Sequence, residues 1–242
     1  MSSVRPVVFA QWLGRLPYGE ALSVQQSRVN QLVAAKKSPS PSTPKVNHLL
    51  ILEHPPVYTV GLRSHVYSES EETRLRALGA DFYRTNRGGL ITFHGPGQLV
   101  AYPILNLADF RPGDRSVGVR RFVELIELTM IKTVAEFGVV GTTSPHTGVW
   151  VGDDEASQRK IAAIGLKVRM GVTSHGLALN CNTDLAWFDP IVPCGIEGKS
   201  VTSLSAELGR DVPIRDVIEP FCRAFADVFH CDVQRPFSFQ TC

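Results

Sequence analysis

"RGGLITFHGPGQLVAYPILNL" occupies residues 87–107, and its first twelve residues set four glycines and Pro96 around a single histidine, His94. A bare turn needs one or two residues with unusual backbone freedom. Four glycines beside an apolar run imply that something approaches this backbone closely. "LITFH" (90–94) and "LVAYPIL" (99–105) read as strands on either side of the Gly-Pro-Gly punctuation.

Working outward, "VVFAQWLG" (7–14), "HLLILEH" (48–54), "VYTVG" (57–61) and "DFYRT" (81–85) read as further strands upstream. Downstream, "GVWV" (148–151), "IAAIGLKVR" (161–169) and "GLALNCN" (176–182) do the same, with the polar "GDDEASQR" (152–159) as a hairpin tip. Helical periodicity falls at 18–37, 69–79, 119–138, 200–209 and 214–229. Pro220 is expected to kink or delay the last of these. Strands arrive in clusters with helices between the clusters. That pattern predicts an α/β chain of the α+β kind, a mixed β-sheet flanked by helices, and not a doubly wound nucleotide fold. One domain over 1–242 is expected, with "SPSPSTPK" (38–45) as a mobile loop.

The 242 residues are 43% hydrophobic, enough for a sizeable core, and carry a net charge of only +2, so an acidic partner must be caught by a local patch. Arg111, Arg115, Arg120 and Arg121 form the one basic cluster, read either as a solvated helix start or as such a patch. Aromatic interleaving is missing there, which argues against nucleic acid. No apolar run approaches a membrane span. The five cysteines (Cys181, Cys194, Cys222, Cys231 and Cys242) are odd in number and form no CxxC, which fits free thiols in a reducing compartment. Residues 1–19 carry two arginines and no acid, a composition shared with organelle presequences, although the same stretch reads well as a first strand.

Familiar motifs fail on spacing. "GIEGKS" (195–200) lacks the glycine a phosphate loop requires, since Pro193 stands there. GxGxxG, HExxH and GxSxG are absent, and His94 with His175 alone is a weak metal set. What remains is Cys194, held in the stiff-then-flexible turn "VPCGI" where a sulfur can be presented, unlike Cys181 and Cys222 in apolar segments. Lys160 stands at the mouth of the 161–169 strand. The ordinary reading is a solvated lysine, but beside Cys194 it would stabilise the thiolate. His175 opens the 176–182 strand and reads as a histidine satisfied at a strand end.

Taken together, "RGGLITFHGPGQLVAYPILNL" (87–107), "RKIAAIG" (159–165), "TSHGLALNCNTDLAWFDPIVPCGI" (173–196) and "VTSL" (201–204) resemble the lipoyl(octanoyl) transferases, in family order and over a span of nearly half the chain. "HTGVW" (146–150) and "WFDPIVPCG" (187–195) are most similar to the animal, mitochondrial branch. The resemblance implies a catalytic domain of the biotin/lipoate protein ligase kind and an acyltransferase that moves octanoyl from acyl carrier protein to a lysine of lipoyl domains. It implies that Cys194 is the acyl-thioester nucleophile and Lys160 its partner. The acyl group would lie along Arg87, Gly88, Gly89, Leu90, Ile91, Thr92, Phe93 and His94, along Ala163, Ile164 and Gly165, and along Gly176, Leu177 and Ala178, with Gly95 and His175 as further lining. It also implies the mitochondrial matrix, no ATP and no metal, and, as acceptors, lipoyl domains of 2-oxoacid dehydrogenase subunits and the glycine cleavage H protein. Two other readings stand beside it: an ATP-dependent lipoate- or biotin-type ligase, and a non-catalytic binder of acyl carrier protein.

Overall fold

The structure, a computed structural model, describes residues 5–37, 46–196 and 198–235, with the side chains of Asp114 and Cys194 outside that description. The 38–45 segment, expected as a mobile loop, lies outside the described residues. Among the described residues the strands are β1 (Val7–Arg15), β2 (Asn47–Glu53), β3 (Val57–Val60), β4 (Asp81–Arg84), β5 (Thr92–His94), β6 (Gln98–Ile104), β7 (Val149–Val151), β8 (Arg159–Arg169), β9 (Val172–Asn180), β10 (Ser200–Val201) and β11 (Asp232–Gln234). The helices are α1 (Tyr18–Lys37), α2 (Glu69–Arg76), α3 (Val119–Ala135), α4 (Leu204–Leu208) and α5 (Ile214–Phe229).

The larger sheet runs β10-β8-β9-β6-β2-β1-β11, with β7 added on β8, and a smaller one runs β4-β3-β5. Pairing is mixed: β1 lies parallel to β2 and β11, whereas β2, β6, β9 and β8 alternate antiparallel. The expected mixed sheet with flanking helices is what forms.

Its strands are apolar on both faces because both faces are covered. Leu49, Ile51, Leu99, Ala101, Leu177 and Leu179 join α3 and α5 in one core. Their neighbours Leu50, Leu52, Val100, Tyr102, Ile104 and Ala178 point the other way, into a second core with α1. The period-two switch between cores is the strand geometry itself. A third cluster, around Tyr58, Phe93, Phe188 and Ile191, packs under the small sheet.

Three expectations need correction. α5 starts at Ile214 and is continuous through Pro220. It buries Val217, Ile218, Phe221, Phe225 and Phe229, and that apolar face outweighs the roughly 3 kcal/mol cost of an interior proline. The segment 200–209 is not helical throughout: Ser200 and Val201 pair with Arg159 and Lys160, and α4 begins only after the Ser203 cap. His175 does not open its strand. It lies inside β9 at φ +54°, a left-handed conformation rare for a side-chain-bearing residue.

Candidate active site

β8 carries Lys160 on its second residue, opposite Trp150 of β7 on one side and Val201 of β10 on the other. At Ala162 the pairing with β7 ends, at Val149, and the pairing with β9 begins, at Leu179. Lys160 therefore sits where β8 changes partners, and it is 5% exposed. Its ammonium donates to Thr147 O at 3.2 Å and lies 4.6 Å from the centroid of the Trp150 ring. A cation over an indole face is attracted by the ring quadrupole, more strongly when water is excluded. The expected solvated lysine is thus not what the fold makes.

Lys160 shares a small cleft with Pro193, Thr92, Gln98, Asn180 and Phe188. Pro193 begins the short 3-10 turn Pro193–Gly195, which carries Cys194 in its backbone. Leu90 closes against this turn, since a Cβ built on Gly195 would meet Leu90 Cδ1 at 2.3 Å. The Cys194 sulfur lies outside the described atoms. The three described free cysteines, Cys181, Cys222 and Cys231, are buried, and burial pushes each thiol up to about 12. None of them is a usable nucleophile near neutral pH.

The cleft continues into a slot that shares Thr92, Ala163 and Ala178 with it. Further lining comes from Ile164, Gly165, Gly176 and Leu177, so all six residues expected from β8 and β9 are present. Gly165 and Gly176 are register partners. A Cβ on Gly176 would meet Ala101 O at 2.2 Å, and one on Gly165 would meet Arg87 Cδ at 3.0 Å. Gly165 lets the 87–89 segment lie directly on the sheet, and Gly176 lets β6 approach β9 closely at Ala101 and Pro103.

From the 87–95 run, Arg87, Gly89, Thr92 and His94 line the slot, and the other expected residues do not. Strand alternation explains much of this. Ile91 and Phe93 turn into the third core, and Leu90 turns toward Gly195. Gly88 donates its N–H to Leu166 O at 3.0 Å, so its role is to anchor the loop on β8. Gly95 makes room for the Phe93 ring, which a Cβ there would meet at 2.4 Å. Arg87 is 6% exposed and its guanidinium clamps backbone: Nη2 donates to Thr59 O (2.7 Å), Thr59 Oγ1 (2.9 Å) and Leu90 O (3.0 Å), and Nη1 to Gly88 O (2.8 Å).

The far end of the slot is a buried ring cluster that sequence reasoning missed apart from His94 and His175. Tyr18, Tyr102 and Val100 line it, and His54 backs it. His54 Nδ1 lies 2.7 Å from Leu16 O, so that nitrogen carries the proton and Nε2 accepts from the Tyr102 hydroxyl at 2.8 Å. His94 Nδ1 likewise donates to Gln98 Oε1 at 2.7 Å. Gln98 in turn donates to Asn180 Oδ1 at 2.9 Å, joining slot and lysine cleft through one polar chain. His175 has its N–H bonded to Gln25 Oε1 and its Nε2 3.2 Å from Asn86 Oδ1. Burial first, then neighbouring charges, lowers His94 to about 3; burial, against a backbone bond to Leu16, lowers His54 to about 4; burial and the Arg87 charge lower His175 to about 4. Burial pushes Tyr18 up to about 12. The rings at the slot end are therefore polar in atoms but uncharged at neutral pH, and the charge beside them is the Arg87 guanidinium. No signal in the sequence ties Tyr18 or His54 to it, since each lies more than thirty residues before Arg87.

Among the described residues, no group of three or more His, Cys, Asp or Glu side chains is placed to hold a metal ion. The arginine cluster is exposed, and Arg120 and Arg121 share Glu124 at 3.4 and 3.1 Å.

The sheet order and the slot define a catalytic domain of the lipoate protein ligase fold. A crystal structure of lipoate-protein ligase A bound with ATP superposes with a TM-score of 0.65 at 13% identity, covering 98% of this chain and 90% of that one. The chain belongs to the lipoyl protein ligase A/B catalytic domain family, whose profile matches residues 17–226. It is 54% identical over 231 residues to the mitochondrial octanoyl-[acyl-carrier-protein]:protein N-octanoyltransferase of Danio rerio, covering 96% of each chain. It is 52% identical over 222 residues to the enzyme of the same name from Xenopus tropicalis, covering 92% of this chain and 87% of that one.

Proposed function

We propose that this chain transfers an octanoyl group from octanoyl-acyl carrier protein to a lysine of lipoyl domains through a thioester on Cys194. The reaction class is the one its close relatives are named for, an acyl transfer that opens protein lipoylation. The covalent route rests on one observation: buried Lys160 and the Pro193 turn share a cleft that runs on into an apolar slot through Thr92, Ala163 and Ala178.

In the first step the Cys194 thiolate attacks the carbonyl of the donor thioester. The tetrahedral intermediate collapses, the bond to the carrier's sulfur breaks, and the carrier leaves as its thiol. One thioester replaces another, so the exchange is close to isoenergetic and needs no ATP. In the second step the neutral amine of the acceptor lysine attacks the Cys194 thioester. The C–S bond breaks, the thiolate is regenerated, and the amine's proton passes to a base. Lys160 serves both steps: its ammonium stands beside the thiolate and gives the proton that the departing carrier thiol takes up, and the neutral amine so formed accepts the proton of the attacking lysine, which restores the ammonium. The slot holds the chain by burial, about 0.8 kcal/mol per methylene. Arg87, Gly89, Thr92, His94, Ala163, Ile164, Gly165, His175, Gly176, Leu177 and Ala178 form its wall; Gly88, Leu90, Ile91, Phe93 and Gly95 build the scaffold behind it. The chain acts as one catalytic domain.

The mitochondrial matrix is proposed as its location, because the relatives are named mitochondrial. The acid-poor composition of residues 1–19 lends less to this, since Val7–Arg15 of that stretch is β1 within the large sheet. Lipoyl domains of 2-oxoacid dehydrogenase subunits and the glycine cleavage H protein are the proposed acceptors. Arg111 and Arg115, with Arg120 and Arg121, are the proposed contact for the acidic carrier.

The deciding experiment is intact-mass spectrometry after exposure to octanoyl-acyl carrier protein without ATP, followed by addition of apo lipoyl domain. The expected result is a gain of one octanoyl group on the wild type, none on Cys194→Ser, and discharge onto the acceptor. Transfer that requires ATP would identify a ligase on the same fold, and binding without any mass gain would identify a non-catalytic carrier-binding protein.

A further inference from the structure

The described contacts that hold the Lys160 ammonium come from one short turn, residues 146–150. Thr147 supplies the carbonyl at 3.2 Å and Trp150 the ring at 4.6 Å. The turn is built tightly on β8. Gly148 has φ +125°, and a Cβ there would meet Ala162 O at 2.6 Å and Lys160 Cε at 3.4 Å. Trp150 is fixed in turn by its indole N–H, which donates to His146 O at 2.9 Å, and by paired backbone bonds with Thr142. One side chain from outside the turn reaches into it. Glu127, on α3, accepts the Gly148 N–H on its Oε1 at 2.9 Å.

We propose that Glu127 is a positioning residue for Lys160, acting through the Gly148 amide to hold the Thr147 carbonyl and the Trp150 ring around the ammonium. Gly148 and Val149 lie between those two partners, and Gly148 is the one with the backbone freedom to drift. A single charge-assisted bond from a helix pins it where the lysine needs it. Burial raises the Glu127 carboxyl above the ordinary carboxylate range; Gly148 N–H and the Lys160 ammonium oppose this, and Glu124, one turn back on α3, adds to it. The carboxylate thus senses both the amide it holds and the ammonium beyond. His146, whose ring centroid is 6.2 Å from that of Trp150, is the other titratable group of the turn.

This inference rests on the proposed role of Lys160, and the test separates the two. Three variants are compared with the wild type: Glu127→Ala, which loses the acceptor; Glu127→Gln, which keeps an acceptor oxygen and loses the charge; and Lys160→Ala. For each, kcat and KM for octanoyl transfer and the pH profile of Cys194 alkylation are measured alongside the melting temperature. Glu127→Ala is expected to lower kcat about tenfold with little change in KM, as a small misplacement of a reacting group does. Its alkylation profile should move toward higher pH, in the direction of Lys160→Ala, and Glu127→Gln should restore most of both. The double variant Glu127→Ala/Lys160→Ala should be no worse than Lys160→Ala alone, because the two effects act through one group. An alkylation profile for Glu127→Ala that superimposes on the wild type, while Lys160→Ala is impaired, overturns the positioning role and leaves the lysine's role standing. Glu127→Gln failing as badly as Glu127→Ala overturns it too, since charge and not the tether would then matter. A Lys160→Ala variant indistinguishable from wild type removes the lysine's role itself, and the inference with it.

Discussion

Lys160 and Trp150 are cross-strand partners whose side chains meet face to face, the ammonium 4.6 Å from the ring centroid. Such a contact contributes about 1–2 kcal/mol when water is excluded. Trp150→Leu is expected to lower kcat several-fold, and Trp150→Phe, which keeps a weaker quadrupole, to fall between. Steady-state kinetics on the three proteins decides it; equal kcat for Leu and Trp would show that the ring only packs.

Lys160→Ala removes the cation beside the Pro193–Gly195 turn. Iodoacetamide alkylation of Cys194 near neutral pH should slow by about tenfold, the effect of roughly one pH unit in thiolate population. Peptide mapping assigns the label to Cys194. An unchanged pH profile would contradict the proposed pairing.

Ala163 and Ala178 lie where slot and lysine cleft join. Burying two further methylenes favours octanoyl over hexanoyl by about 1.6 kcal/mol, roughly fifteenfold. Ala163→Leu and Ala178→Leu fill that junction, which both chains must pass, so kcat/KM should fall about tenfold or more for octanoyl and hexanoyl donors alike. Wild-type rates with either donor would place the acyl chain elsewhere.

Arg87 joins the 87–90 segment to β3 through several carbonyls at once. A lysine offers a point charge and not a planar fork, so Arg87→Lys strands buried carbonyls. A loss of about 3 kcal/mol in unfolding free energy is expected by denaturant titration, together with loss of activity. A loss below about 0.5 kcal/mol would mean the clamp is idle.

His54, His94 and His175 are buried and held neutral, at about 4, 3 and 4 respectively. Above about pH 6.5 neither the folded nor the unfolded chain protonates them, and they exert no pH slope. Below it, the unfolded chain binds protons that the folded one refuses, so stability falls as pH drops from about 6.5 toward 4. Each contributes a slope of the order of 1 kcal/mol per pH unit there. His94→Gln should flatten the fall in melting temperature across this window, and an unaltered slope would count against a neutral buried His94.

Much of the fold was legible because its signals are local. The alternation of Leu49, Leu50, Ile51 and Leu52 between two cores is written in a continuous apolar run. The 3.6-residue period of α3 needs no partner to be read. Glycine density pointed to the 87–97 segment as a place of close approach, and Gly165 bears this out by seating Arg87 and Gly88 on the sheet. Where local signals misled, tertiary contact outweighed them. Pro220 stays helical because α5 buries one whole face, and Ser200 and Val201 are a strand because β8 offers them an edge.

By itself the sequence determined the mixed sheet, the apolar strands that floor a slot, and the motif blocks that mark the family. Those depend on period, composition and order along the chain. Only the tertiary structure decided which residues of the glycine-rich run face the slot, that Tyr18 and His54 close its end, and that Lys160 is buried against Trp150 and not solvated. These are contacts between segments many residues apart, or between alternate faces of one strand. A chain carries no local mark of them, because they exist only once β5, β6, β8, β9 and α1 have packed together.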